Sequence, residues 1–213
     1  MNMRKPISRS LLSVIASFLF VFPVLGQGKQ AKQGLKVYID SLFTVDQQVQ
    51  QDMINAFQRS APFDSIKVLE DIQKQTFARH IQLLKDVVKT HGYPASEKVG
   101  AETSSHFFTL IQHADADVNF QAEMLPLIKE QVDKKQANGS EYAFLYDRIQ
   151  INKGGEQLYG TQVEYDAEGN AVPKKLKDQS DVNARRKSVG LAPLEEYLKK
   201  VTEMHKKMNQ RNN

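Results

Sequence analysis

The chain has no cysteine and no tryptophan. Without cysteine it can form no disulfide, no thiolate metal site, no thiol nucleophile and no thioether-linked lipid anchor. Long apolar runs are almost as scarce. One extends from Leu11 to Phe22, and no other stretch approaches the roughly 20 residues that a helical membrane span needs. With 11 glycines and 7 prolines in 213 residues, strong chain breakers are few, and most of the sequence is free to form regular structure. The chemistry narrows further because there is no HExxH zinc pattern, no glycine-rich phosphate loop and no nucleophile-elbow serine. Nothing here calls for a cofactor or a metal ion.

At the N-terminus, Arg4, Lys5 and Arg9 precede the apolar run, and Val24-Leu25-Gly26 supplies compact residues after it. This pattern reads as a secretory signal peptide over residues 1–26, with Gln27 as the mature start; the alternative is an uncleaved N-terminal anchor. A signal combined with zero cysteines fits an exported bacterial protein, periplasmic or extracellular, that needs no disulfides. Cleavage would remove three of 29 basic residues and none of 25 acidic ones, leaving a net charge near +1. Nucleic-acid binding then loses its electrostatic support. The remaining charge is uneven: residues 171–213 hold 11 Lys/Arg against 5 Asp/Glu. That basic segment is either a solvated helix face or a contact for an acidic surface.

The 187 residues after Gly26 fit one domain. Residues 27–34 are polar and glycine-containing and are expected to be a flexible lead-in, with residues 209–213 as a disordered tail. Between them, residues 35–208 read as a single, mainly α-helical domain of six or seven helices with one small β-hairpin near residues 157–173. A first helix runs from Leu35 to Phe57 with Val37, Leu42, Val45, Val49, Met53 and Phe57 as its apolar positions. The second carries Ile66, Leu69, Ile72, Phe77, Ile81, Leu84 and Val88, with Asp64 as N-cap and Gly92 as stop. A third is expected over 98–112, a fourth over 118–137 with Pro126 inside it, and a fifth over 140–151. Residues 158–165 alternate like a strand, and 166–170 form a turn before 171–173. Helices over 179–188 and 193–208 complete the chain.

Three polar runs between residues 106 and 162 carry the groups able to do chemistry. In His113-Ala114-Asp115-Ala116-Asp117, Asp117 is placed to cap the fourth helix. His113 beside Asp115 is either a general acid/base oriented by a carboxylate or a satisfied histidine joining two helices. Glu102 and His106 stand one helical turn apart, a weak metal pattern. Asp147 and Arg148 follow an aromatic segment and point in different directions. Arg148 therefore needs a carboxylate or an anionic ligand, and Asp147 needs Arg185, Arg186 or a backbone cap. In strand geometry Gln157, Tyr159 and Thr161 share one face, suited to a polar ligand or to an interface with the helices.

Several motifs in order, Gly92-Tyr93-Pro94, Val99-Gly100, Gln112-His113-Ala114-Asp115, Phe120-Gln121, Tyr146-Asp147-Arg148, Gln157-x-Tyr159-Gly160-Thr161-Gln162, Arg185-Arg186 and Val189-Gly190-Leu191-x-Pro193-Leu194-x-x-Tyr197, together resemble the bacterial domain-of-unknown-function 6624 family over about residues 35–200. The resemblance implies no activity. It adds weight to His113, Asp115, Asp147, Arg148, Gln157, Tyr159, Thr161, Arg185 and Arg186 as one constellation, and none to Glu102 or His106.

Two readings of function follow. In the first, the chain is an exported domain that binds a small polar or anionic ligand, or serves as an interaction scaffold, around His113, Asp115, Asp147 and Arg148. In the second, it is a hydrolase- or lyase-type enzyme with His113 as general acid/base, assisted by Asp115 or Asp147. Arg148, Gln157, Tyr159, Thr161, Arg185 and Arg186 would then hold the substrate.

Overall fold

Helix-forming polar residues continue the first helix well upstream of its apolar stripe. In the computed structural model, which describes residues 24–210, α1 spans Val24–Gln58. The lead-in expected over residues 27–34 is thus helical, because Lys, Gln and Ala all favour the helix and outnumber its two glycines. The basic and apolar parts of the expected signal lie outside the described residues, as does the end of the chain after Gln210.

After α1 come α2 (Phe63–His91), α3 (Ser96–Val99), α4 (Ala101–Gln112), α5 (Val118–Asp133) and α6 (Gly139–Asn152). Then follow β1 (Val163–Tyr165), β2 (Ala171–Pro173), α7 (Val182–Ser188) and α8 (Leu194–Gln210). This mainly helical architecture with one antiparallel hairpin is the expected fold class. Among the described residues the helix count is eight, because Gly100, at φ +87°, divides the expected third helix into α3 and α4. Gly92 stops α2 at φ +67°, its N–H bonded to the Val88 carbonyl. The N-cap position of α2 is Pro62, so Asp64 falls in the first turn instead of capping. α5 runs through Pro126 but ends at Asp133, four residues earlier than expected, where Lys135 turns to φ +59°.

The core lies where α1, α2, α4, α5 and α6 meet. Ile39, Leu84, Phe107, Ile111, Ile128 and Leu145 are fully buried there. Each such side chain contributes about 1.5–3 kcal/mol of transfer free energy. The buried face of α1 is Leu35, Ile39, Leu42, Asp46 and Met53, whereas Val37, Val45 and Phe57 are about half exposed. Of the expected apolar positions, Leu42 and Met53 lie on the buried face, whereas Val37, Val45 and Phe57 do not, because packing against α2 and α4 selects the stripe through Leu35, Ile39 and Asp46. On α2, Ile72 is likewise exposed while His80 and Val87 are buried. Contacts along α1 and α4 advance in the same chain order, Asp40 with His106 and Asp46 with His113, so these helices run parallel.

The hairpin is shorter than expected. Val163 pairs with Pro173 and Tyr165 with Ala171, and a turn at residues 166–170 closes it, with Asp166 Oδ1 accepting the Asn170 N–H at 2.7 Å. Residues 158–162 form a loop, not a strand. Gly160 adopts φ +66°, and a Cβ there would stand 2.8 Å from Leu194 Cδ1.

Candidate functional site

That loop is explained by the residues around it. Asp147, on α6, is fully buried. Its Oδ1 accepts the Leu158 N–H at 2.8 Å and the Tyr159 N–H at 3.1 Å. Its Oδ2 accepts the Thr161 N–H and the Thr161 hydroxyl, each at 3.0 Å. Burial pushes the Asp147 carboxyl above its ordinary range, and these donors pull against that shift. Every partner is a donor, so the arrangement suits an ionised carboxylate. These amides cannot also serve a β-ladder, which accounts for the missing strand.

Arg185 and Arg186, on α7, grip the carbonyls of the same loop. Arg185 Nε donates to the Leu158 carbonyl at 2.7 Å, and Arg186 Nη1 to the Tyr159 carbonyl at 2.5 Å. Arg186 Nε also donates to the Ala192 carbonyl at 2.6 Å, and its guanidinium lies 4.9 Å from the Tyr197 ring centroid. Gln157 spans the loop with its amide, accepting the Gln162 N–H at 2.9 Å and donating to the Gln162 and Lys174 carbonyls. Tyr197 donates its hydroxyl to the Thr161 carbonyl at 2.8 Å. Thus Asp147, Gln157, Thr161, Arg185 and Arg186 do converge, but on backbone. Tyr159 is the exception: its half-buried ring packs edge-on to Tyr146.

A second cluster forms around Asp115. Arg148 engages it as a fork, Nε to Oδ1 at 2.6 Å and Nη2 to Oδ2. Asn152 and Gln121 donate to the same Oδ1 at 3.0 and 3.2 Å. The carboxylate expected for Arg148 is therefore Asp115, and the pair is partly open to solvent. Burial raises the Asp115 carboxyl, but Arg148, Gln121 and Asn152 together hold it below the ordinary range. A depressed folded-state pKa stabilises the fold above the unfolded value of about 3.9 and loses that effect as pH falls through the folded value. Asp115→Asn is accordingly expected to melt below wild type at pH 7, with the gap closing below about pH 4. A gap of equal size at pH 2 and pH 7 in thermal melts would contradict this.

His113 turns away from Asp115. It pairs with Asp46 on α1, its Nδ1 lying 2.8 and 2.9 Å from the two carboxylate oxygens. The expected His113–Asp115 pair is not formed, since Arg148 engages both Asp115 oxygens. Asp46 is fully buried, whereas the His113 side chain retains 20% exposure and stacks on Phe77. Its Nε2 lies 3.4 Å from the Gln50 amide nitrogen, and Gln50 in turn accepts from Gln73 at 2.8 Å. Asp46 was missed by sequence reasoning, although a signal existed: an acid occupies a position of α1 that helical spacing assigns to the core.

His106 follows the same pattern one level up. Its Nδ1 is 2.8 Å from Asp40, which also receives Thr103 and Lys36, so Glu102 is not its partner. Asp117 caps α5 as expected, its Oδ1 accepting the Phe120 N–H at 2.9 Å, and it holds Lys85 as well. Among the described residues, no group of three or more His, Asp or Glu side chains is placed to share a metal ion. Nor is any described helix long and apolar enough to cross a membrane.

No match was found among curated proteins or among solved structures. A family model does match, over residues 33–208, and that stretch contains both clusters and the pinned loop. The chain belongs to the family of unknown function DUF6624.

Proposed function

We propose that this chain is an exported binding or scaffold domain, not a catalyst, with His113, Asp115 and Arg148 at its accessible polar rim and Asp147 inside. One observation carries the reading. Asp147, Gln157, Arg185 and Arg186 each hydrogen-bond the backbone of residues 157–162, and the further bonds of Gln157 and the two arginines go to the carbonyls of Lys174, Lys177, Asp178 and Ala192. Side chains used in this way present a loop rigidly and have little capacity left for holding a substrate. The half-open Asp115–Arg148 fork and the partly exposed imidazole of His113 are the groups positioned to meet a small polar or anionic ligand. Export rests on the basic and apolar pattern of residues 4–22. Expressing the full chain in a bacterial host and weighing the product tests it: a mass starting at Gln27 in the periplasm or medium is expected, and an intact chain in the cytoplasm would refute export.

A second reading, a hydrolase or lyase with His113 as general acid/base, is favoured by one feature. A buried carboxylate orients the imidazole, which keeps 20% side-chain exposure and has its Nε2 3.4 Å from the Gln50 amide. Truncating His113 separates the two. If the imidazole is structural, His113→Ala leaves the buried Asp46 with only the Gln47 amide at 3.0 Å among the described residues and costs about 2 kcal/mol. Urea unfolding reads that cost. Unchanged stability would sink the scaffold role of His113 and favour the catalytic one.

A further inference from the structure

A groove between α1 and α2 lies apart from both clusters. Two cavities, of about 330 and 370 Å³, follow one another along the helix pair and share Tyr38 and Leu83 as lining residues. Each reaches the size of small-ligand sites. Their ends differ in chemistry. The first is bordered by Arg79 and His80 together with Thr76 and Val45. The second is walled by Leu35, Leu83 and Val87, with Asp86 on its exposed rim.

Two side chains at the first end are unspent. Arg79 is exposed and makes no ion pair or hydrogen bond among the described residues. His80 is only 5% exposed, and its Nδ1 has no hydrogen-bond partner. Burial pushes the His80 imidazole below its ordinary pKa, against the opposing pull of Asp46, so the ring is neutral and able to accept or donate. That nitrogen is closed to solvent, so the ring must turn toward the groove before a ligand completes its bonding and offsets the cost of leaving it unpaired.

We propose that this groove binds a single-chain amphiphile with an anionic headgroup, the head against Arg79 and His80 and the tail along Leu35, Leu83 and Val87. Arg79, the cation at the first end that is unpaired among the described residues, sets the direction, since the opposite rim carries Asp86 beside His91. From Val45 back to Gly34 the groove follows 11 residues of α1, roughly 16 Å at the helical rise per residue, the reach of a medium-length acyl chain. The inference goes beyond the functional reading above and does not rest on it.

Gly34 supplies a clean test. It lies in α1 at the tail end of the groove, and a Cβ there meets no atom within 4 Å. Gly34→Leu should therefore fill the tail end while leaving the helix intact. Calorimetric titration of the full chain with dodecanoate is expected to show saturable one-to-one binding. Arg79→Gln should weaken it by about tenfold or more, the loss expected for one charge-assisted hydrogen bond. Dodecanol should bind more weakly than dodecanoate and be indifferent to that change. Gly34→Leu should weaken dodecanoate but spare octanoate, with circular dichroism reporting an unchanged fold. The proposal is overturned by non-saturable uptake, by Arg79→Gln leaving the affinity unchanged, or by dodecanol binding as tightly as dodecanoate. It is also overturned if the groove instead joins two copies of the chain, seen as a concentration-dependent dimer that Gly34→Leu dissociates and dodecanoate does not.

Discussion

Asp147→Asn is expected to lower stability by about 3 kcal/mol, although it changes a single atom. The asparagine amide presents donors where the carboxylate accepted. Oδ2 receives the Thr161 N–H and hydroxyl, and Oδ1 receives Leu158 and Tyr159. Whichever oxygen becomes NH₂, one buried N–H, that of Leu158 or of Thr161, is left facing a donor, because Tyr159 reaches both oxygens at 3.1 Å and the Thr161 hydroxyl can turn to accept, and the remaining bonds lose their charge. An unmet buried hydrogen-bonding group costs about 1–3 kcal/mol, and a shift to solvent would require undoing the loop. Relief of the charge's desolvation, which pushes the Asp147 carboxyl upward, returns part of that cost and keeps the loss near the middle of the range. In a domain of this size about 3 kcal/mol corresponds to a melting point about 6–12 °C lower. Thermal melts at neutral pH measure it, and a shift under 2 °C would mean that the loop does not depend on this carboxylate.

The second large effect is expected at Arg186. Replacing a buried ion pair with apolar residues is often harmless, since both charges leave together. Arg186 differs, because its partners are the carbonyls of Tyr159 and Ala192, which stay behind when the guanidinium goes. Arg186→Met keeps the length and much of the packing against Tyr197 but satisfies neither carbonyl. A loss of about 3 kcal/mol is expected, read by urea unfolding. Asp147 and Arg186 hold opposite sides of the same short backbone segment. Their effects should therefore not add: once one variant has released the loop, the second has less to lose. A double variant as unstable as the sum of the singles would show that each residue supports a separate structure.

How much of this was legible in the sequence differs from element to element. The stop of α2 at Gly92, the Asp117 cap and the turn at residues 166–170 are local: each is decided by the chemistry of a few neighbouring residues. The buried face of α1 is not local. Leu35, Ile39 and Leu42 satisfy helical spacing as well as Val37, Val45 and Val49 do, and α2 and α4 make the choice. Strand alternation at Gln157, Tyr159 and Thr161 was a false signal, since Asp147 takes the amides that a ladder would need. The nine residues of the expected constellation fall into separate groups: Asp147, Gln157, Thr161, Arg185 and Arg186 meet at one loop, Arg148 pairs with Asp115, and His113 pairs with Asp46. Asp46 and His113 are 67 residues apart, and no spacing rule links an acid on one helix to an imidazole on another. Arg148 and Asp115 found each other as expected of a forked cation and a carboxylate. Arg185 and Arg186 look like ligand-binding arginines in sequence, and only the fold reveals that their ligands are carbonyls.

Amide hydrogen exchange at Tyr159 and Thr161 tests the central claim most directly, because it reads the pinned loop itself. If the motif side chains exist to hold that backbone, both amides exchange in the wild type only as slowly as the core of α4, and Asp147→Asn accelerates them far more than it does α4. Wild-type amides that exchange at loop-like rates, orders of magnitude ahead of α4, would contradict it and return Asp147, Arg185 and Arg186 to the role of groups awaiting a ligand.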